Sequence, residues 1–440
     1  MTPRLQSACI AVIAASIFAC QPARNAPAVV APTSSPADSV YAFVNGRWMD
    51  NDHFVAKTVY VSGGVFLAGK PHRVDRSIDL AGAFMTPPFA DAHTHNLDGT
   101  LQIDSVVNTY IREGTFYVQV LTNTVTGAAA VRARFNHPGT LDVVYANGGI
   151  SATLGHPFGA YEPRRLGIYT AAQAKARNAE LCASRQLEGN VYWSLDTPAD
   201  VAKKWPLILA THPDVIKIFL LHSESFDPAP TCAAIGRGGL DPKLVPDIVA
   251  RAHAAGLRVW AHIESAHDFS VAAKAGVDGF AHVPGYSLEH GDSVAADEIT
   301  EADAKIAGAH HAFVTPTASL AAASYAVNDS AGVVRIQEIE RRNLRLLQRA
   351  GVKVVVGSDY YGKTAALEFQ SLHLLGLWSN TELVRMWSVT TPLAIFPSRK
   401  IGAFAPGYEA SFLALACDPF ADLACTRSIT LRMKQGIFIN

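Results

Sequence analysis

The chain has 440 residues, enough for one large domain with an appendage or for two to three smaller ones. Its 37 Lys+Arg and 38 Asp+Glu nearly cancel, leaving a formal net charge of −1. That balance implies neither a nucleic-acid surface nor an acidic interaction tail, and beyond residue 20 no apolar run is long enough to span a bilayer.

Residues 1–20, MTPRLQSACIAVIAASIFAC, carry one early positive charge, Arg4, then a small and apolar stretch from Ala8 to Ala19. This is the pattern of a secretory signal peptide, too short for a stable membrane span. It closes on SIFAC, which resembles a bacterial lipoprotein box with Cys20 as the residue to be lipidated; the bulky Phe18 keeps simple cleavage nearby as the alternative. Residues 21–39 are rich in Pro, Ala and Ser and read as a flexible linker. The expectation is an exported protein, periplasmic or held by a lipid anchor at Cys20. Export makes disulfides plausible for the four remaining cysteines. Cys417 and Cys425 suit a terminal staple and Cys182 with Cys232 the other bridge, free buried thiols being the alternative.

Residues 40–88 read as short strands with turns: YAFVNGRWMD, then KTVYVSGGVFL, then RSIDLAG, with NG and SGG as turn signals. The closing segment, 401–440, carries two more strand-like pieces, APGYEASFLALA and ITLRMKQGIFIN. Both ends are therefore assigned to one composite β-sandwich domain, split by everything between. The middle, 89–400, alternates strand and helix. Strands are expected at 84–95, 115–123, 141–150, 214–222, 257–263, 277–282, 312–317 and 352–359, most of them followed by a helical stretch. DPKLVPDIVARAHAAG, 241–256, is one such stretch: Asp241 suits an N-cap, Pro242 the first turn and Gly256 the stop. Leu244, Val245, Ile248, Val249 and Ala252 recur at helical spacing, and 337–351 repeats the pattern. The fold class expected is α/β, a (β/α)8 TIM barrel with the small β-domain appended. A doubly wound open sheet competes, but the Gly-rich phosphate turn that would favour it is missing. Between the third and fourth strands lies a long insertion, 151–213, of the kind that shapes a substrate pocket.

In a barrel, chemistry gathers at the C-terminal ends of the strands. The first strand ends in His93 and His95, which share a face with Asp91 by strand periodicity. The fourth carries Lys217 inside an apolar run, the fifth ends in His262, the sixth in His282 and the eighth in Asp359. Each has a bland reading alone: a structural histidine, a snorkelling lysine, a helix-capping aspartate. Together they point to a metal site, because random placement would scatter the 16 histidines over loops and helix faces. Neutral imidazole with carboxylate suits Zn²⁺ or a similar divalent ion.

This set, with PPFADAHTHN and the closing IGAFAPGYEASFLAL, resembles the amidohydrolase superfamily, and within it the imidazolonepropionase-like and Xaa-Pro dipeptidase (prolidase-like) branch. The resemblance covers nearly the whole mature chain. It implies a binuclear metal-dependent hydrolase. One ion would be held by His93, His95 and Asp359, a second by His262 and His282, and an N-carboxylated Lys217 would bridge them. Two ions ~3.5–4 Å apart would clamp a hydroxide and polarise a scissile carbonyl, with Asp359 as general acid–base. Single-metal deaminases of the superfamily carry a Glu three residues after the fifth-strand histidine; here that position is Ser265, and Glu264 lies at +2. Deamination of a cyclic amidine or nucleobase-like compound is therefore the alternative function. The expected substrate is a small molecule or short peptide with an amide, peptide or lactam carbonyl. Arg164, Arg165 and Lys363 are candidate anchors for a carboxylate, while His156, Tyr161 and Tyr360 are candidates for substrate contact. Tyr361, His222 and Glu224 are open in role.

Overall fold

The computed structural model describes residues 39–286, 294–320 and 330–439. The leader over 1–20, with Cys20, and all of the linker over 21–39 except Ser39 lie outside the described residues. Among the described residues no helix is long and apolar enough to cross a membrane.

From the N-terminal side come β1 (Tyr41–Asp50), β2 (His53–Ser62), β3 (Val65–Phe66), β4 (Arg76–Asp79) and β5 (Phe84–Thr86). Ten parallel strands follow. They are β6 (Phe89–Thr94), β7 (Thr115–Val120), β8 (Asp142–Tyr145), β9 (Gly149–Ser151) and β10 (Tyr192–Ser194); then β11 (Ile216–Phe219), β12 (Val259–His262), β13 (Gly279–Ala281), β14 (Phe313–Thr315) and β15 (Lys353–Val354). The chain closes with β16 (Phe412–Leu415), β17 (Ile429–Lys434) and β18 (Ile437–Phe438).

The two chain ends join in one mixed sheet of order β18-β17-β16-β5-β1-β2-β3, with β4 beside β1. Its buried face packs aromatic rings edge to face, Trp48 on Phe404 at 4.9 Å and Phe43 on Phe412 at 5.0 Å. Asn45-Gly46, expected as a turn, instead forms a bulge inside β1, where the register shifts between Phe43 and Gly46 and Asn45 sits at φ 57°. A Cβ at position 46 would meet Leu80 Cδ1 at 2.5 Å, so the glycine lets the strand bend past Leu80. The chain reverses one turn later, between Asp50 and His53.

The parallel strands form two ladders, β6-β7-β8 and β10-β9-β11-β12-β13-β14-β15. Each expected strand is present but shorter. Pro87-Pro88 splits 84–95 into β5 and β6, and 141–150 divides into β8 and β9. The sequence pattern missed β10, three residues inside the long insertion that pair with β9. Backbone bonds tie the ladder ends together. Ala92 N–H donates to the Val356 carbonyl at 2.9 Å, and Asp214 N–H to that of Tyr145 at 2.8 Å. The helical stretch after β11 opens with Asp241 accepting from Lys243 N–H and runs over Val245–Ala254. It buries Val245, Ile248, Val249 and Ala252, as their spacing requires. Two disulfides form. Cys182–Cys232 fastens the insertion to the loop after β11, and Cys417–Cys425 closes the loop after β16.

An ionic cluster sits where the mixed sheet meets the first parallel ladder. Lys434 Nζ donates to Asp142 Oδ1 and to the His137 carbonyl, both at 2.7 Å, and Arg399 donates to Asp142 Oδ2 at 2.7 Å. The Lys434 and Asp142 side chains are 0% and 2% exposed. Removing one partner of such a pair leaves a buried charge short of compensation. Lys434→Met is therefore expected to destabilise the fold by about 3 kcal/mol or more, and adding Asp142→Asn to recover most of that loss. Urea unfolding of the two variants checks this; a single-variant loss below about 1 kcal/mol would mean that Arg399 alone satisfies Asp142.

Candidate active site

The end of β6 is locked before any chemistry begins. Asp91 is fully buried and accepts from His93 N–H at 3.2 Å, the Tyr110 hydroxyl at 3.1 Å, Ser358 N–H at 3.3 Å and Ala365 N–H at 3.2 Å. Burial lifts its carboxyl to about 7. Asp91 thus pins the first strand to the segment after β15, away from the cavity. Gly357 permits the same approach: a Cβ there would meet His93 N at 2.5 Å. Asp359 N–H then donates to the His93 carbonyl at 2.7 Å. Asp359 adopts φ 47° and His282 φ 86°, left-handed conformations that are uncommon for non-glycine residues.

These constraints bring five of the strand-end side chains into direct contact. Asp359 Oδ1 lies 2.8 Å from His95 Nε2 and 3.3 Å from His93 Nε2, and Oδ2 lies 3.4 Å from His282 Nε2. His282 Nε2 in turn lies 3.0 Å from His262 Nδ1. The outer ring nitrogens fix which inner ones carry protons. His95 Nδ1 faces the Thr122 carbonyl at 2.8 Å, which only accepts, so Nδ1 holds a hydrogen and Nε2 is turned to Asp359. Thr317 Oγ1 donates to the Pro316 carbonyl and therefore accepts from His282 Nδ1 at 2.6 Å, leaving His282 Nε2 bare. Glu264 Oε1 accepts from the Tyr286 hydroxyl at 2.7 Å and, as a carboxylate, from His262 Nε2 at 2.9 Å, which leaves His262 Nδ1 bare; burial pushes that carboxyl up to about 7.

The result is two imidazole lone pairs facing each other across 3.0 Å, beside a carboxylate. Without a cation such an arrangement is repulsive. With a first-row divalent ion at bonds of about 2.0–2.1 Å, neighbouring donors fall roughly 3.3 Å apart, close to the separations here. Burial drives His262 down to about 3 and His93 and His282 well below the usual imidazole range, so these rings stay neutral. Burial opposes the charge on Asp359, yet the surrounding histidines hold its carboxyl well below the carboxylate range. His95 is drawn upward by Asp359 despite burial, and its contact alone also fits a simple ion pair. An ion pair does not account for His262 against His282.

Lys217 completes the group. Its Nζ is buried and has no hydrogen-bond partner, 5.2 Å from the Phe219 ring centre. Burial pushes its ammonium down to about 7, with Asp359 opposing. An orphaned amine beside five convergent donors fits a metal centre and has no role in a purely structural core.

A cavity of about 360 Å³ opens over these residues. His93, His95, Lys217, His262 and Asp359 line it, while His282 lies beneath the Tyr286 ring, stacked at 4.1 Å. His156 and Tyr161, from the insertion, also line it. The His156 ring stacks 4.8 Å from that of His262, and burial lowers its pKa to about 3. Tyr161 shares a 2.9 Å hydroxyl contact with Tyr361, which lies against His95 with ring centres 5.4 Å apart. Arg164, Arg165, Tyr360 and Lys363 are not brought to the cavity wall. Arg164 is exposed and donates to the Ala160 carbonyl, Arg165 and Lys363 face solvent, and Tyr360 is half-buried. His222 pairs with Glu224 at 3.5 Å outside it.

Sequence reasoning missed Tyr286, Thr122 and Thr317. Tyr286 donates to Glu264 Oε1 at 2.7 Å and covers His282. Its one signal was the short VPGY run directly after the sixth-strand histidine. The two threonines gave none, because they act on histidines of other strands.

A model of the amidohydrolase family matches residues 84–438. Among solved structures, the chain is similar to an ochratoxinase from A. niger at 18% identity and a TM-score of 0.69, covering 92% of this chain and 96% of that one. It is similar to a Xaa-Pro dipeptidase with bound methionine in its active site at 15% identity and a TM-score of 0.69, covering 91% and 100%. A prolidase complexed with N-methylphosphonate-L-proline matches at 19% identity and a TM-score of 0.67, covering 91% and 100%. No curated protein sequence matches the chain.

The Glu264 contact makes a separable prediction about metal affinity. Glu264→Ala frees the His262 ring to rotate or change tautomer and is expected to weaken divalent-metal binding by about 10–100-fold. Glu264→Gln keeps an accepting oxygen and is expected to retain most of the affinity. Competition with a chromogenic chelator checks both; unchanged affinity in Glu264→Ala would remove Glu264 from the metal centre.

Proposed function

The chain belongs to the amidohydrolase family, and from that premise we propose that it is a two-metal hydrolase cleaving the C–N bond of an amide, a short peptide, an N-acyl amino acid or a lactam. The observation that carries this reading is the pair of bare nitrogens, His262 Nδ1 and His282 Nε2, 3.0 Å apart next to Asp359. His93, His95 and Asp359 would hold one ion and His262 with His282 the other. Lys217, N-carboxylated by CO2, would join them, which gives its orphaned Nζ a partner. Imidazole and carboxylate donors suit Zn²⁺. Two such ions, when bound, acidify a water and polarise a carbonyl.

The remaining steps belong to the chain's own residues. Asp359 sits against both histidine groups, so its carboxylate is the base within reach of an attacking water. It takes that proton as the C–O bond forms and returns it to the leaving nitrogen as the C–N bond breaks. His156, neutral and facing the cavity, would donate its N–H to the oxygen that gains charge. The rings of Tyr161 and Tyr361 narrow the mouth and help exclude bulk water. Deamination stands lower because Glu264, the nearest candidate for a proton shuttle, already accepts from His262 and Tyr286.

The same reading takes the two parallel ladders as one (β/α)8 barrel over 89–400, with 40–88 and 401–440 as a small β-domain. The bonds Ala92 to Val356 and Asp214 to Tyr145 support that closure. It also takes the protein as exported, with 1–20 as its signal peptide and Cys20 as its anchor; the two disulfides favour an oxidising compartment.

Metal-reconstituted protein is expected to carry close to two divalent ions per chain, and Lys217→Ala about one or fewer. Asp359→Asn is expected to lower kcat by about 10²–10⁴-fold. Elemental analysis with an amide-hydrolysis assay, ammonia followed in parallel, checks this. Wild-type turnover in a mononuclear Lys217→Ala protein would overturn the two-metal reading.

A further inference from the structure

We infer that the chain holds a further divalent-metal site outside the strand-end centre, built by His222, Glu224 and His267 on the segments after β11 and β12, with a donor set that suits Zn²⁺. The inference is independent of how many ions the strand-end donors hold.

Glu224 stands between two imidazoles delivered by different strands. His222 Nδ1 lies 3.5 Å from Glu224 Oε1, and His267 Nδ1 lies 3.8 Å from Glu224 Oε2. An ion pair accounts for one of these contacts, because one carboxylate balances one imidazolium. The second imidazole needs another reason. Asp268 does not supply it, although donor atoms of Glu224, His267 and Asp268 lie within 4.8 Å of one another. Both Asp268 oxygens are already engaged. They accept from His222 N–H at 2.9 Å, Ser223 N–H at 2.8 Å and Ser223 Oγ at 2.5 Å, and from the N–H groups of Glu264 and Ser265 at 3.1 Å. These bonds make buried Asp268 a positioning residue. It ties the backbone that bears His222 and Glu224 to the start of the helix Ala266–Ala275, which bears His267. Ser265 Oγ also donates to Glu224 Oε2 at 2.9 Å and fixes the carboxylate between the rings.

Imidazole and carboxylate bonds of about 2.0–2.2 Å to Zn²⁺ set neighbouring donors roughly 3.3 Å apart, so small side-chain rotations close the group on an ion. The side chains are free to make them: His222, Glu224 and His267 are 31%, 36% and 48% exposed, and an ion can enter from solvent. Ser223 Oγ gives its hydrogen to Asp268 and so accepts from His267 Nδ1 at 3.0 Å. A bound ion takes the place of that ring hydrogen, as imidazole ligation requires. The positive end of the helix opposes a cation here, and the carboxylates of Glu224 and Asp268 offset it. Leu221 and Glu264, beside these donors in the chain, line the cavity. An ion held by His222, Glu224 and His267 therefore pins together two segments that form one flank of the cavity.

The test titrates full-length protein with Zn²⁺ against a chromogenic chelator and counts bound ions per chain. Wild type is expected to take one ion more than Glu224→Gln or His267→Gln at the same free Zn²⁺, each variant weakening that ion by at least about tenfold. The same difference is expected in a Lys217→Ala background, whatever that change does to the strand-end centre. Excess Ca²⁺ is expected to leave the extra ion in place, because imidazole donors disfavour a hard, oxygen-seeking cation. The thermal midpoint is expected to rise as that ion binds to wild type and to stay unchanged over the same range in both variants. Equal counts and affinities in wild type and both variants overturn the inference and leave the two-metal reading untouched. Displacement of the extra ion by Ca²⁺ overturns it as well.

Discussion

The whole site depends on holding unprotonated donors closer together than they would choose to be. Two imidazole nitrogens at 3.0 Å and a carboxylate within 3.4 Å of three rings repel one another unless a cation lies among them. The protein opposes that repulsion with rigid supports on separate strands. A carbonyl fixes His95, a threonine that is itself engaged fixes His282, and a carboxylate fixes His262. The left-handed backbone at His282 and Asp359 is part of the same arrangement, since both residues must turn back across the strand ends to reach the centre. Parallel strands buried on both faces make that possible. They offer a rigid platform whose polar side chains can emerge only at the ends.

That origin explains what could be read from the sequence. An apolar run that ends in a histidine, as in VWAH or GFAH, announces both a buried strand and the place where it surfaces, so His262 and His282 were legible from local pattern. Lys217 was legible for the opposite reason: a lysine inside IKIF interrupts an apolar run that the strand buries. The supports were not legible. Thr122 and Thr317 follow strands whose own side chains give no hint of the rings they serve. Their role exists only through pairing across the sheet, which a single sequence does not display. The Asn45-Gly46 pair shows the same limit at short range. Its chemistry allows a turn or a bulge, and Leu80, 34 positions along, selects the bulge.

The insertion over 151–213 has a different logic from the parallel ladders it interrupts. It builds a small core of its own around Leu154, Phe158, Leu181 and Tyr192. Buried Glu162 holds that core together by accepting from Ser184, Leu187 N–H and Tyr192. The Cys182–Cys232 bridge then fastens it to the loop that follows Lys217's strand. His156 and Tyr161 reach the cavity from this unit, so that part of the wall is set by a segment whose packing is largely independent of the strand-end donors.

Separating the two has a consequence for how specificity can arise on this scaffold. The donors must satisfy a cation's geometry and tolerate little change, whereas the insertion only has to present a surface at the right distance. Arg164 and Arg165 illustrate this. They sit in the helix Phe158–Arg165 that delivers Tyr161, and both are exposed. Three and four positions after Tyr161, both project from the same side of that helix as the tyrosine, so the charge beside the cavity mouth can change without moving a strand-end donor. The surface over the centre is thus set by one helix, anchored through Glu162, rather than by the chemistry of the centre it covers.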